Sequence, residues 1–178
     1  MTRTIIEPQR EIPVVAEPDV LVVGGGAAGI AAACAAARGG ARTMLIEAWG
    51  CLGGTLTLVT LGGFCGTHMI VDDERLARVV GGLYLELEDR LAARDAVLPP
   101  RRHGRILGVP YESASLKLVA DEMVAARGVR VMLHTSAVGT VTDGAHVTAV
   151  IVENKGGLTA IAPQVVIDAS GDADVAAR

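Results

Sequence analysis

The sequence predicts an α/β fold in which a parallel β-sheet is covered by helices and a small antiparallel β-meander. Three observations predict it. A βαβ unit is formed by an apolar strand at 19–23, an alanine-rich helix and a second strand at 42–47. Amphipathic helical segments and further apolar strands follow this unit. Before the last core strand, short β-prone stretches alternate with turn residues.

The composition indicates a folded domain and excludes several classes of protein. The chain has 178 residues, 51% of them hydrophobic, and a formal charge of −4, which suits one domain and excludes disorder. With no basic excess and 2% aromatic residues, we expect no nucleic-acid partner. The three cysteines, Cys34, Cys51 and Cys65, have neither disulfide nor zinc spacing. Since the N-terminus also lacks a signal-peptide core, we expect a cytoplasmic protein with reduced cysteines.

The uncharged segment at residues 48–71 is long enough to cross a bilayer, but its composition argues against a membrane span. It is rich in paired glycines and in threonine, whereas a lipid-facing helix is richer in leucine, isoleucine and phenylalanine. We expect irregular chain buried against an uncharged surface, and no membrane association.

The remaining elements follow in chain order. Prolines at 8, 13 and 18 predict an extended arm over residues 1–18, and residues 19–178 form the predicted domain. The first helix is predicted at 30–38, ended by a glycine pair. Helices are also predicted at 72–94 and 113–127, a loop at 95–110, and strands at 129–134, 138–142, 147–153, 158–161 and 165–168.

The motif with chemical meaning is Gly24-x-Gly26-x-x-Gly29, which lies between the first strand and the first helix. In a dinucleotide-binding turn the first glycine permits the tight turn, the second lets a diphosphate approach the backbone, and the third lets helix and strand pack closely. The helix N-terminus attracts the phosphates. Glu47, at the end of the second strand, is placed to bind ribose hydroxyls and disfavours a 2′-phosphate. The motif therefore predicts dinucleotide binding, with FAD or NAD as ligand.

Three stretches resemble the FAD-dependent oxidoreductases of the glutathione-reductase-like superfamily, a group related in fold to fumarate reductase flavoproteins. These stretches are DVLVVGGGAAGIAAACAAARGGARTMLIE, CLGGTLT and VVIDASGDADVAAR. The resemblance implies a Rossmann-like three-layer domain that binds FAD. The FAD-binding residues it implies are Gly24, Gly25, Gly26, Ala28, Gly29, Glu47, Ala48, Gly53, Gly54, Thr55, Ala137, Val138, Ala169, Ser170 and Gly171. Relatives often carry arginine shortly after the strand-two glutamate, whereas this sequence has Ala48-Trp49-Gly50.

The resemblance also implies a function and a partner. It implies hydride transfer between a small organic substrate and FAD, and it covers the N-terminal portion of the family's pattern, before the substrate domain. We therefore expect a heteromer in which a second polypeptide, either a separate subunit or half of a cleaved precursor, supplies the substrate domain and a closing strand. The alternatives are a non-catalytic subunit that holds FAD or relays electrons and, less favoured, part of an NAD-dependent dehydrogenase.

Catalytic residues are not assigned by the sequence, and two side chains are weak candidates. Cys65 and His68 form a C-x-x-H pair in the uncharged segment, where His68 would act as a base or a flavin attachment point, and Cys51 has similar potential. Packing of small buried residues is the favoured alternative, and no further ligands complete a metal site. The cationic run at 101–105 would grip an anionic substrate, although a solvated face or subunit contact is favoured.

Overall fold

The computed structural model describes residues 3–5, 9–59, 61–72, 75–104 and 106–178. Its helices are α1 (Ala27–Arg38), α2 (Thr55–Leu58), α3 (Leu83–Ala92) and α4 (Ser113–Ala125). Its strands are β1 (Val14–Ala16), β2 (Val20–Val23), β3 (Thr43–Ile46), β4 (Gly63–Cys65), β5 (His68–Ile70), β6 (Leu76–Arg78), β7 (Arg101–His103), β8 (Ile106–Pro110), β9 (Arg130–Met132), β10 (Ser136–Asp143), β11 (His146–Asn154), β12 (Gly157–Ile161) and β13 (Val165–Asp168).

A parallel sheet in the order β13-β2-β3-β9 forms the centre of the fold. Because successive side chains of a strand point to opposite faces, β2 contributes side chains to two hydrophobic cores, one on each face of the sheet. Val22 packs with the buried side chains of α1, α3 and α4. Leu21 and Val23 pack instead with Val150 and Ile161 of the meander. The three layers are therefore helices, parallel sheet and meander, which confirms the predicted fold class.

The meander consists of β10, β11 and β12, which pair in antiparallel order. Residues 14–16 of the N-terminal arm add β1 in parallel to β12. Part of the arm is thus an edge strand of the meander sheet. Its first two residues and residues 6–8, with Pro8, lie outside the described residues.

Ion pairs connect the helices on the outer face of the sheet. Glu86 of α3 accepts hydrogen bonds from Arg127, just after α4, at 2.5 and 3.1 Å, and from Arg90 at 2.9 and 3.1 Å. The hydrogen bonds from Arg127, followed by those from Arg90, hold the pKa of Glu86 below its ordinary value although partial burial opposes this. The network fixes the packing of α3 against α4 behind the sheet.

The predicted helix at 72–94 is wrong in its first half. Residues 76–78 form β6, which pairs with β5, and helix α3 begins only at Leu83. Gly82 has φ +64°, a left-handed conformation that a continuous right-handed helix does not contain. Leu76 and Val79 match the helical spacing of the true helix but are exposed. Residues 73–74 lie outside the described residues.

The predicted loop at 95–110 is wrong in its second part, because residues 101–103 and 106–110 form β7 and β8, which pair in antiparallel order and are extended by β4. Leu107 and Val109 alternate with less buried neighbours, a strand pattern that the preceding cationic run obscured. Arg101 and Arg102 are exposed, and Arg105 lies outside the described residues.

The uncharged segment at 48–71 is more regular than expected. It contains α2, β4 and β5, and several of its apolar side chains, including Leu58, Val59 and Met69, are exposed rather than buried. Among the described residues, no helix combines the length and apolar character that a membrane crossing needs.

Candidate functional site

An open crevice of about 850 Å³ lies where β2, β3 and β13 end. Ligands of open parallel sheets bind at the carboxyl ends of the strands. The walls of this crevice are the glycine turn after β2, the chain after β3, the start of α2, the start of β10 and the loop after β13. The lining residues are Val23, Gly24, Gly26, Ala27, Ala28, Ile46, Glu47, Ala48, Trp49, Gly53, Gly54, Thr55, Leu56, Leu58, Val59, Thr135, Ser136, Ala137, Ala169, Ser170, Gly171, Asp172 and Asp174.

The three motif glycines have three different surroundings. Gly24 has φ +101°, and a Cβ there would collide with the carbonyl oxygen of Ala169. A Cβ on Gly29 would collide with the carbonyl oxygen of Gly24, so these two positions require glycine for the turn itself. Gly26 differs, because a Cβ there meets no atom of the chain within 4 Å. The space beside Gly26 belongs to the crevice.

The N-terminus of helix α1 lies at the crevice. Its N-cap residue is Gly26, which offers no side-chain cap, and the first turn contains no acidic residue. The leading N–H groups of a helix lack intrahelical partners and carry a partial positive charge. This helix start therefore suits an anionic group such as a diphosphate.

Glu47 is a buried carboxylate on the neighbouring strand end, with only 6% of its surface exposed. Its Oε2 accepts a hydrogen bond from the Gly25 N–H at 2.6 Å, and its Oε1 accepts one from the Trp49 N–H at 2.8 Å. A carboxylate has about four acceptor positions, so Glu47 retains capacity for hydroxyl donors. The two N–H groups fix the orientation of this carboxylate at the crevice wall.

The Gly53-Gly54 turn packs against the first glycine turn. The Gly53 N–H donates to the Gly25 carbonyl at 2.8 Å, and a Cβ on Gly54 would lie 2.9 Å from the Cα of Gly26. Two glycines allow this close approach of backbone to backbone. Thr55 then begins α2, which forms the opposite wall.

Two hydroxyl groups hold α2 in place from the other side. The Tyr111 and Ser113 hydroxyls donate to the Leu56 carbonyl at 2.8 and 3.2 Å. The Tyr111 ring stacks on Phe64 with ring centroids 4.3 Å apart. The crevice wall is thereby tied to the start of α4 and to β4.

Asp168, at the end of β13, organises the third wall. Its carboxylate accepts hydrogen bonds from the N–H and the hydroxyl of Ser170 at 3.1 and 2.6 Å, and from the Val175 and Ala176 N–H groups, both at 3.0 Å. Burial by itself raises the pKa of Asp168, but these hydrogen bonds, with the Ser170 hydroxyl foremost, outweigh it and lower the pKa below 3.8. The loop from 169 to 176 is folded around this one carboxylate.

Most of the predicted cofactor-binding residues lie in one place. The crevice is lined by Gly24, Gly26, Ala28, Glu47, Ala48, Gly53, Gly54, Thr55, Ala137, Ala169, Ser170 and Gly171. Gly25, Gly29 and Val138 do not line it. Gly25 and Gly29 shape the turn behind the crevice, and the Val138 carbonyl accepts a hydrogen bond from Arg178 at 3.0 Å.

The two catalytic candidates, Cys65 and His68, lie outside the crevice. Both line a separate depression of about 370 Å³ beside Ile106 and Leu107. His68 Nδ1 is 3.1 Å from the Thr67 hydroxyl. The Cys51 Sγ is 4.0 Å from the Thr57 hydroxyl, near the Gly53 turn. Catalytic roles for these three residues stay predictions.

Sequence reasoning missed three features of the crevice. The sequence predicts Asp168 only as the last residue of a strand, although an acidic residue directly before Ala-Ser-Gly signals a side chain that caps its own loop. Trp49 stands out in the sequence only as a departure from relatives. Thr135 and Ser136, just before and at the start of β10, carry no sequence signal that marks them as crevice residues.

The sheet order, the glycine turn at a helix start and the buried acid on the next strand are the arrangement found in dinucleotide-binding domains of the α/β class. The chain belongs to the FAD dependent oxidoreductase family, whose sequence pattern it matches over residues 19–178. The family is one of enzymes, and its redox cofactor is FAD. A comparison with curated proteins finds no match.

Solved structures share the fold at low sequence identity. THI4 of Thermovibrio ammonificans has 18% identity and a TM-score of 0.62 over 90% of this chain and 60% of its own. The 3-ketosteroid-Δ4-(5α)-dehydrogenase of Rhodococcus jostii RHA1 has 17% identity and a TM-score of 0.61 over 89% of this chain and 48% of its own. A flavocytochrome c3 fumarate reductase has 20% identity and a TM-score of 0.58 over 87% and 34%. The chain thus spans about a third to three fifths of their lengths.

The crevice residues suit FAD on physical grounds. The open space beside Gly26 and the uncapped start of α1 suit a diphosphate, and the carboxylate of Glu47 suits ribose hydroxyls. When bound, FAD supplies a group that accepts or donates a hydride.

Proposed function

We propose that this chain is the FAD-holding part of a flavoprotein oxidoreductase that transfers a hydride between a small organic substrate and FAD. In this proposal FAD occupies the crevice at the strand ends. The observation that carries it is the position of Gly26, which combines an uncapped helix start with open space toward the crevice. Open space directly beside the unpaired N–H groups of a helix start allows a diphosphate to approach the backbone.

The chain's own groups have three tasks in this proposal. The N–H groups at the start of α1 bind the diphosphate, with no positively charged side chain needed. Glu47, oriented by the Gly25 and Trp49 N–H groups, accepts hydrogen bonds from the ribose. The backbone of Gly53 and Gly54 keeps α2 close to the glycine turn, which narrows the crevice and limits the entry of water.

Replacing Gly26 with valine tests the position of the cofactor. The backbone at Gly26 is extended, with φ −71° and ψ −174°, and a Cβ meets nothing there, so the Gly26→Val chain should fold normally. Its methyl groups would occupy the diphosphate space. We expect the wild-type protein to take up FAD, with visible flavin absorbance and a Kd measurable by calorimetry, and Gly26→Val to lose at least tenfold in affinity.

Gly81→Val is the matched control, since Gly81 also has open space around it and no left-handed backbone, but lies outside the crevice. It should bind FAD like the wild type. Equal FAD affinity in Gly26→Val and wild type would place the cofactor elsewhere. A wild-type protein that binds NAD but not FAD would refute the flavoprotein assignment.

We also propose that a second polypeptide supplies the substrate domain and a strand beside β13. Two surface features support this. In the described part of the chain, the parallel sheet ends at β13, whose Val165 is 52% exposed. Leu58 and Val59, which line the crevice, are also exposed. An open strand edge and exposed apolar side chains next to a binding site are typical of surfaces that another segment covers.

Native purification from the source cells tests this partner. We expect a native gel and intact-mass spectrometry to show this chain in a complex with a second polypeptide that is needed for substrate turnover. The partner proposal fails if a single chain retains FAD and turns over substrate without another polypeptide. That outcome would leave the FAD site of the preceding test unaffected.

A further inference from the structure

The side chain of Trp49 is unusual because a large apolar ring is held in water at the crevice wall. Trp49 is the only tryptophan of the sequence, it is 64% exposed, and it lines the crevice beside Glu47 and Ala48. Exposure of an indole leaves most of its apolar surface in contact with water, which is unfavourable.

The backbone of Trp49 is fixed on both sides. Its N–H donates to Glu47 Oε1 at 2.8 Å, and its carbonyl accepts a hydrogen bond from the His134 N–H at 3.1 Å. Next to it, Gly50 lies so close to the His134 ring that a Cβ would be 2.7 Å from the ring carbon Cε1. The indole therefore projects from an ordered segment and not from a free loop.

The position of Trp49 along the crevice indicates which part of a dinucleotide it meets. The start of α1 suits the diphosphate, and Glu47 suits the ribose. The base is attached to the ribose and lies beyond it, on the side away from the diphosphate. Trp49 follows Glu47 by two residues, and the nearby lining residues Ser136 and Ala137 are small, which leaves room for a flat ring.

From this placement we propose that the Trp49 indole stacks on the adenine ring of the bound cofactor. The inference rests on the proposed function, since it takes the crevice to be the FAD site. Stacking removes apolar surface of both rings from water, and a flat aromatic partner recognises a base without hydrogen bonds to its edge. Trp49 thereby fixes the adenine end of the cofactor, with Glu47 holding the adjoining ribose.

Three variants of the apoprotein test the proposal by calorimetric titration with FAD. Trp49→Ala should raise the Kd about 5- to 100-fold, the range for one aromatic–base stack. Trp49→Phe should retain most of the affinity because phenylalanine still stacks. The control Leu118→Ala removes a similarly exposed apolar side chain from α4, outside the crevice, and should bind like the wild type. Titration with ADP should reproduce the loss in Trp49→Ala.

Tryptophan fluorescence provides a second measurement that does not depend on enzyme activity. The tryptophan fluorescence that is present in the wild type and absent in Trp49→Phe comes from Trp49. We expect ADP to quench this fluorescence and inorganic diphosphate to leave it unchanged. If FAD binds the wild type and Trp49→Ala with equal affinity, the stacking is wrong and the FAD site stands. The same holds if bound ADP leaves the fluorescence unchanged. If the wild type binds neither FAD nor ADP, the proposed function and the stacking both fail.

Discussion

Glu47 and Asp168 are two carboxylates with different tasks at the same crevice. Glu47 takes one backbone N–H on each oxygen and keeps capacity for a ligand. Asp168 takes four hydrogen bonds from its own loop, which uses its acceptor capacity for structure. The sequence predicted the position of Glu47 because its role depends on a local spacing from the glycine turn. The hydrogen bonds from Ser170 to Asp168 are local and have a sequence signal, but the donors at 175 and 176 are brought to it only by the folded loop.

Asp168 should make stability depend on pH at the acid end. Since the pKa of its carboxyl group is lowered from 3.8 in the folded chain, the carboxylate stabilises the fold fully above that value, and this contribution is lost as the pH falls below it. Asp168→Asn should reduce the free energy of unfolding by about 1–3 kcal/mol at pH 7, the range for hydrogen bonds to a charged group. Urea unfolding at a series of pH values from 3 to 7 measures both effects.

The difference between wild type and Asp168→Asn should shrink as the pH falls below about 3.8, because the unfolded wild-type chain then takes up the proton first and the folded carboxyl group becomes neutral at still lower pH. Asp172→Asn removes a charge from an exposed position of the same loop and serves as the control. A pH-independent difference, or an equal loss in Asp172→Asn, would show that the hydrogen bonds to Asp168 do not stabilise the loop.

At the scale of elements, the sequence predicted the parallel core strands, α1, α4, the meander and the helix that contains α3. It failed at β6, which it predicted as helix, and at β7 and β8, which it predicted as loop. The core strands are continuous apolar runs bounded by turns, so their periodicity and burial agree. In the failed region, exposed apolar residues such as Val79 continue the spacing of α3, and periodicity alone does not distinguish them from buried ones. The true boundary depends on the conformation of a single residue, Gly82.

Gly82→Ala should therefore destabilise the fold without any steric collision. A Cβ at Gly82 meets no atom within 4 Å, but the backbone has φ +64°, which is unfavourable for an L-residue by roughly 1–2 kcal/mol. Gly81→Ala is the matched control, because its Cβ is equally free and its φ lies outside the left-handed region. We expect urea unfolding to show that loss of stability in Gly82→Ala and a change within about 0.5 kcal/mol in Gly81→Ala.

Equal stability of the two variants would mean that the helix start tolerates a side chain at Gly82, for example by shifting the beginning of α3. The comparison is informative because both glycines are exposed neighbours with open surroundings. It isolates the backbone conformation from packing.

At the scale of the whole molecule, the three layers meet at the crevice. The glycine turn lies between sheet and helices, Glu47 lies at the end of the sheet, and Ala137 comes from the meander. Binding of FAD would therefore connect segments that are far apart in sequence. The sequence predicted most of these residues from the motifs, but it did not predict Trp49, because exposure of an apolar ring is a property of the folded surface.

Thermal unfolding tests whether the crevice couples FAD binding to the stability of the whole fold. A ligand that binds only the native state, at a free concentration about 100 times its Kd, adds about 2.7 kcal/mol to the free energy of unfolding. For a domain of this size we expect FAD to raise the Tm by roughly 5–10 °C. Gly26→Val should unfold near the wild-type Tm without FAD and show a smaller increase with it, since a tenfold loss of affinity reduces the added stability to about 1.4 kcal/mol. An equal increase in both proteins would mean that FAD binds away from the glycine turn.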